Sequence, residues 1–396
     1  MVQRTRKELF GNTALVLLSC FVTYCAAEFL LFPYFVRHLP LRFHIFLNEP
    51  GRLIAQSSKA APTPKEGYIA ILGDSFAQGL GNWLITSDPG SNGPFHSAHV
   101  IADKVGIDVV SLGKGGTGSP ENLIWRATDL FDVLQNGWRL RFPKPGRMFV
   151  YFYEGNDLSD NLHYLTAHVD PVHGPGCWRD PNCLDARLIA DHGQTSGTVR
   201  RTFRQLYFGR MVVGMAVDLW ERRTRTSAIP FSFDGKTPVA PPPGTITKVR
   251  VAGQVLGLPD DMAGPSMELS AAETERAVVV FERSLANLVS RYPDVPITVV
   301  YVPSPLSTYQ LMSAEVSTFH TRGRSNRFPS TAVATRSNEI AMQIATATKR
   351  CGLTFIDARP TIRAHAKLRM VHGPLDPGHF NENGYRALAE AIVNSL

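Results

Sequence analysis

Five short apolar runs constrain this chain more than any other feature in it. They are Tyr68–Leu72, Ile107–Leu112, Met148–Tyr153, Ile297–Val302 and Leu353–Ile356. Continuous apolar runs of this length fit strands buried on both faces of a parallel sheet. Helical patterns lie between several of them. Ser270–Tyr292 opens with the capping sequence Ser270-Ala271-Ala272-Glu273 and then carries an apolar face. Ala332–Arg350 is a second pattern, and Asn381–Leu396 closes the chain. Strands alternating with helices predict the α/β class, with a doubly wound parallel sheet. A chain of 396 residues is long enough to bury a large core around it.

The N-terminus departs from this pattern. Arg4, Arg6 and Lys7 precede a mostly apolar run from Leu9 to about Val36, broken by Glu28. A bilayer span needs roughly 20 residues, so the run is long enough. Basic residues ahead of it favour a cytoplasmic N-terminus, although Arg37 and Arg42 weaken the asymmetry. A cleaved signal peptide is the rival, with Cys25-Ala26-Ala27 as its cleavage site. Phe29-Leu30-Leu31-Phe32 prolongs the apolar run past that point and favours an uncleaved anchor over residues 1–36. Leu17-Leu18-Ser19-Cys20 faintly resembles a lipidation box, but the run continues well beyond Cys20. Glu28 inside a span is costly unless it lies near the interface or finds a partner.

Residues 37–66, with Pro40, Pro50, Pro62 and Pro64, form a linker in this reading, and 67–396 form the body. An insertion at about 160–269, between the third and fourth strands, breaks the α/β rhythm. Such insertions serve as lids or substrate walls. Within it, Arg200–Arg225 is basic at both ends and apolar in the middle, from Leu206 to Trp220. A helix packed on the body is expected there, with an interfacial helix as the alternative. Cys177 and Cys183 flank a short polar loop and are expected to form a disulfide if the body faces an oxidising compartment. Cys351 is expected to be a buried small apolar residue. The net charge of +7 is mild and fits an unspecialised surface as well as an anionic membrane or acidic glycan. With no zinc-type Cys/His spacing, no Walker loop and no tandem repeat, no metal, cofactor or nucleic-acid partner is expected.

Four motifs carry chemistry. Gly73-Asp74-Ser75, Gly113-Lys114-Gly115-Gly116 and Gly155-Asn156-Asp157 each follow a predicted strand, where open α/β sheets place their sites. A serine on a tight turn after a strand can be exposed as a nucleophile, glycines offer N–H groups to an anion, and an asparagine amide can donate to an oxyanion. Asp376-Pro377-Gly378-His379 follows the fifth strand. Three residues apart, the carboxylate can fix the imidazole tautomer and favour the imidazolium. Each motif alone is more often a cap, a turn or a surface pair. Together, and in this order, they predict a serine-hydrolase site.

On these four blocks the chain resembles the SGNH, or GDSL-type, hydrolase superfamily from about Tyr68 to Leu396, apart from the insertion. The resemblance implies a flavodoxin-like three-layer α/β/α fold and no metal. It assigns Ser75 as nucleophile, His379 as base and Asp376 as its orienting acid. The oxyanion hole is then Ser75 N–H, Gly116 N–H and the Asn156 amide, with Gly113 as the other register for the glycine. The departures are Phe76, where the motif has leucine, and Tyr153-Glu154 ahead of the third block. With the N-terminal anchor, the chain is similar to bacterial envelope members that edit acyl groups on glycans. The expected protein is a single-pass inner-membrane esterase or O-acetyltransferase with a periplasmic catalytic body. Its substrate would be an acylated polysaccharide, and a membrane partner could supply the acyl donor. A lipid-directed esterase or lysophospholipase, and a non-catalytic glycan-binding assembly protein, are the alternatives.

Overall fold

The computed structural model describes residues 6–31, 58, 64–81, 97–127, 131, 142–190, 208, 209, 212, 213, 216, 220, 246–259, 262–319, 326–373 and 376–396. Most of the expected linker, residues 37–66, lies outside the described residues. At the linker's end, Ser58 bridges to Val109 and the Lys65 N–H donates to Asp108 Oδ2 at 2.9 Å.

Helix α1 covers Arg6–Ala26 and continues through a wider turn, Ala27–Leu31. Over Gly11–Leu31 its mean hydropathy is 2.1, so it is long and apolar enough to cross a membrane. Its apolar side chains from Leu15 to Leu18, with Phe21 and Val22, are exposed. Glu28 is instead fully buried and accepts the Phe208 backbone N–H at 2.8 Å. The polar group that is costly in the span therefore has a partner. Phe208, Gly209, Val212, Val213, Ala216 and Trp220 are helical. Phe208 packs against the body's core, but Val212, Val213 and Trp220 are exposed. The expected packing on the body is seen at Phe208, and most of the stretch lies outside the described residues.

The body is built on a five-stranded parallel sheet of β1 (Ile69–Leu72), β2 (Val109–Ser111), β3 (Arg147–Tyr153), β4 (Ile297–Val302) and β5 (Thr354–Asp357). The strand order is β5-β4-β3-β1-β2. Every pairing is parallel, for example Ala70 with Val110 on one side and Ala70 with Met148 on the other. The helices that position the site are α2 (Ser75–Gln78), α3 (Ser97–Val105), α4 (Asp157–Tyr164), α5 (Ala271–Arg291), α6 (Ser330–Arg350), α7 (Arg359–Leu368) and α8 (Glu382–Val393).

Alternation along each strand sends side chains into two separate cores. Ala70, Leu72, Val150, Phe152 and Val299 join Phe281 and Leu285 of α5 and Ile340 and Ile344 of α6. Ile69, Ile71, Tyr151, Val300 and Val302 join Ile101 of α3, Ile362 of α7 and Leu388 and Ile392 of α8. Helices thus cover both faces, and continuous apolar runs are what two buried faces require. The expected cap on α5 is present as a reciprocal box between Ser270 and Glu273.

The insertion has structure of its own. Residues from Tyr164 to Leu188 form a satellite core with Ile124 and Val280. Ion pairs Arg276–Asp170 and Arg283–Asp185 fasten it to α5. Cys177 and Cys183 are disulfide-bonded within it. Cys351 is half-buried rather than buried, with its thiol toward the Glu282 carbonyl. Two small sheets were not expected. One joins Lys248–Val251, Gln254–Gly257 and Gln310–Leu311; the other joins Met262–Ala263, Glu315–Phe319 and Asn326–Pro329.

Candidate active site

The chain leaves β1 outward to β2, then returns to β3 on the other side of β1. This reversal opens a crevice at the carboxyl ends of β1 and β3. Asp74, at the end of β1, caps α2 by accepting the Phe76 N–H at 2.9 Å. Ser75 therefore begins a short helix facing the crevice, 7% exposed. Its hydroxyl donates to Asp74 Oδ2 at 3.3 Å. Among the described residues no hydrogen bond joins Ser75 to His379. Asp74 is fully buried, and burial pushes its carboxyl up to about 6 against the Phe76 N–H and the His379 charge, which pull it down.

The glycine loop follows β2 and folds back over α2. Ser111 donates to the Ala77 carbonyl, and the Lys114 N–H donates to the Gly73 carbonyl at 3.0 Å. Gly113 is packed so closely that a Cβ there would collide with Gln78 N and the Ala77 backbone. Gly115 lies nearest the serine: a Cβ on it would stand 3.3 Å from Ser75 Cβ. Its N–H is already donated to Gln78 Oε1 at 2.7 Å. Gly116 has φ +70°, is exposed, and would point a Cβ into open space. The two registers read from the sequence therefore differ physically. Gly113 is a packing position, and Gly116 sits at the open side of the loop.

At the end of β3, Glu154 is fully buried. Its carboxylate accepts the Ser304 N–H and hydroxyl, both at 2.8 Å, the Tyr301 hydroxyl at 2.6 Å, the Ser337 hydroxyl at 2.7 Å and the Ser307 hydroxyl. This fastens the Gly155-Asn156 turn to β4 and α6. Asn156 caps α4, and its Nδ2 donates to Asp160 Oδ2 at 3.0 Å. Asp157 Oδ2 accepts the Tyr153 N–H at 2.9 Å. Burial, followed by the Asp74 charge, raises the carboxyls of Asp157 and Asp160, the latter to about 7. Several buried polar atoms here lack a hydrogen-bond partner among the described residues: Tyr153 Oη, Asn156 Oδ1 and Asp157 Oδ1.

The loop before α8 supplies the last pair. His379 Nδ1 and Asp376 Oδ2 are 2.8 Å apart. Burial raises the Asp376 carboxyl, but the His379 hydrogen bond and charge outweigh it and hold it below its ordinary value. An ionised Asp376 can only accept, so His379 carries its proton on Nδ1 and leaves Nε2 as the basic nitrogen. The Phe76 ring lies 5.3 Å from the His379 ring and 4.1 Å from the Tyr153 ring. It is a wedge between His379 and the asparagine turn. Tyr309 fixes the loop from behind: its hydroxyl accepts the N–H groups of Val371 and His372, each at 3.0 Å, and lies 3.1 Å from His372 Nδ1. Burial, then the His379 charge, lowers His372 to about 3, so it stays neutral.

Ser75, Gly116 and Asn156 thus lie in turns that directly follow β1, β2 and β3, whereas Asp376 and His379 lie on the loop between α7 and α8, one helix beyond β5 rather than directly after it. Sequence reasoning missed Gln78, Asp160, Tyr309 and His372. Each supports a motif residue through a contact between distant segments or one helical turn on, and none has a local signature. Among the described residues no cluster of three or more His, Cys, Asp or Glu side chains is placed to hold a metal ion. No family model matches the chain, and no curated protein sequence matches it.

Proposed function

We propose that this chain is a membrane-anchored serine esterase of the SGNH, or GDSL-type, superfamily. It acts through an acyl-enzyme on O-acyl groups, foremost O-acetyl groups, of an envelope or secreted polysaccharide. Its α/β body lies on the periplasmic side of an inner-membrane span. The observation that carries this reading is the His379–Asp376 pair, 2.8 Å apart, with the His379 ring 5.3 Å from the ring of Phe76, the residue after Ser75. The strand order 2-1-3-4-5 supports the flavodoxin-like form of the fold. The disulfide supports an oxidising compartment, and the apolar helix Gly11–Leu31, the one such helix among the described residues, supports a membrane span.

The reaction runs in two stages. Ser75 Oγ attacks the ester carbonyl carbon while His379 Nε2 takes its proton, and Asp376 stabilises the imidazolium through Nδ1–H. The carbonyl oxygen becomes an oxyanion facing Gly116 N–H, Ser75 N–H and the Asn156 amide. The leaving alcohol takes the proton from His379, and the acyl group stays on Ser75. Water or a sugar hydroxyl then attacks the acyl-enzyme by the same proton route, giving hydrolysis or O-acyl transfer. Before the first stage the Ser75 hydroxyl must turn from Asp74 toward His379, a movement that substrate binding can drive.

The test uses the full chain in detergent, wild type and Ser75→Ala, with p-nitrophenyl acetate and an O-acetylated glycan. Nitrophenolate release that vanishes with Ser75 is expected, together with a change in acetyl content of the glycan. Equal release by both proteins would sink the proposal. A lipid-directed esterase is the second reading, favoured by exposed Val212, Val213 and Trp220 beside the span. Preference for octanoyl over acetyl esters would select it.

A further inference from the structure

The Asn156 amide has a donating end and an accepting end, and only its nitrogen can serve an oxyanion. Something must hold it the right way round. Asn156 Oδ1 is buried with no hydrogen-bond partner among the described residues, so it does not fix the orientation. Nδ2 donates to Asp160 Oδ2 at 3.0 Å. The two residues are four apart at the start of α4, where the Asp160 N–H also donates to the Asn156 carbonyl at 2.9 Å.

Helix α4 is itself held against the glycine loop. Asn161 Oδ1 accepts the Ser119 N–H at 2.8 Å, and its Nδ2 donates to Ser119 Oγ at 2.9 Å and to the Ala277 carbonyl at 3.3 Å. Asp160 therefore rides on an element fixed to both the loop and α5. A carboxylate only accepts, so turning the Asn156 amide end for end would set two oxygens against each other.

We propose that Asp160 is a positioning residue, whose carboxylate locks the Asn156 amide with its nitrogen inward. It uses one N–H and leaves the other on the same nitrogen for the oxyanion. This role rests on the serine-esterase reading above. A plain helix role for Asp160, an acid in the first turn opposing the helix dipole, predicts lost stability without a specific effect on turnover.

Titration separates the two. With its carboxyl raised to about 7 by burial and then by Asp74, Asp160 becomes a donor below that pH and the lock is released. Charged groups on the elements around it are Asp74 after β1, Asp157 on α4, the Lys114–Glu121 pair of the glycine loop, Glu268 beside Ser159, and Arg276 of α5 paired with Asp170 of the insertion. Of these, Asp74 acts on its titration. Asp160 then contributes a component to the acid limb of the rate that its replacement removes.

The experiment measures kcat and KM for p-nitrophenyl acetate against pH, with labelling of Ser75 by a fluorophosphonate. It compares the full-length wild type with Asp160→Asn, Asp160→Ala and Asp160→Glu. Asn keeps the shape of Asp and guards against a folding defect. The Asn and Ala variants should lose about ten- to a hundredfold in kcat with KM little changed. Their acid limb should have a shallower slope than the wild type's, because the Asp160 component is gone. The Glu variant should recover part of the loss. Wild-type kcat and an unchanged slope in both Asn and Ala variants would overturn the role. Absence of Ser75 labelling in the wild type would overturn the esterase reading itself, and this role with it.

Discussion

Glu154 shows what the third motif needs at the level of one side chain. Tyr153-Glu154 was only a departure from a pattern when read in sequence. In the structure the Glu154 carboxylate sits between β3, β4 and α6, and hydroxyls of Tyr301, Ser304, Ser307 and Ser337 converge on it. Its satisfied neighbours become orphans if it is removed. Arg359 extends the network by donating to Ser337 Oγ at 3.0 Å while pairing with Asp357 at 2.7 Å. Glu154→Ala should therefore cost about 3–5 kcal/mol, because buried donors lose their acceptor and Arg359 its balanced surroundings. Glu154→Gln, which keeps one acceptor oxygen, should cost less. Urea denaturation of the three proteins checks this, and a wild-type midpoint for the Ala variant would refute it. The same comparison explains why the motif residues were legible and their supports were not. Ser75, Asn156, Asp376 and His379 lie in turns with distinctive composition, whereas Tyr301, Ser304 and Ser337 are ordinary residues brought to Glu154 only by folding.

Between elements, the glycine loop and α2 make one unit, and its two outer glycines should respond differently to the same change. Gly113→Ala drives a methyl into the backbone of Ala77 and Gln78. It should displace α2, lowering stability by about 1–3 kcal/mol or more and lowering turnover with it. Gly116→Ala meets open space, and its cost is that of a left-handed residue, about 1–2 kcal/mol. It keeps its N–H, so turnover should survive in the folded fraction. Thermal melts and p-nitrophenyl acetate turnover measured together distinguish the two, and a Gly113→Ala protein as stable and active as wild type would contradict the packing argument. At this scale the five sheet strands and the helices α5, α6 and α8 were legible, because burial on both faces or on one face leaves a local pattern. The two small sheets were not. Lys248–Val251 and Gln254–Gly257 form a local hairpin, but each sheet is completed by a pairing across a long gap, Arg250 with Gln310 and Met262 with Thr318, that no short window of sequence contains.

Over the whole molecule, the buried carboxyls near Ser75 make stability depend on pH in an unusual direction. Asp74 and Asp160 titrate at about 6 and about 7 in the folded protein, against roughly 3.9 unfolded. A carboxyl raised by folding contributes stability that is fully present below its unfolded value and is lost as pH rises through its folded value. His372 runs the other way. Lowered to about 3 from roughly 6.5, it contributes stability present above its unfolded value and lost as pH falls toward 3. Asp376, held below its ordinary value, has the same sign as His372 and acts only in more acid solution. Because these opposing groups overlap between about pH 4 and 6.5, the wild-type curve alone does not isolate any of them. The difference between Asp160→Asn and wild type does, since the other groups are common to both. The variant should gain relative stability as pH rises from 5 to 8, by on the order of 2 kcal/mol once partial exposure of Asp160 is allowed for. Chemical denaturation of the full chain at pH 5, 6.5 and 8 measures this directly. A difference that stays constant over the three pH values would mean that Asp160 titrates in the fold as it does unfolded, and that its carboxylate is not confined beside Asp74.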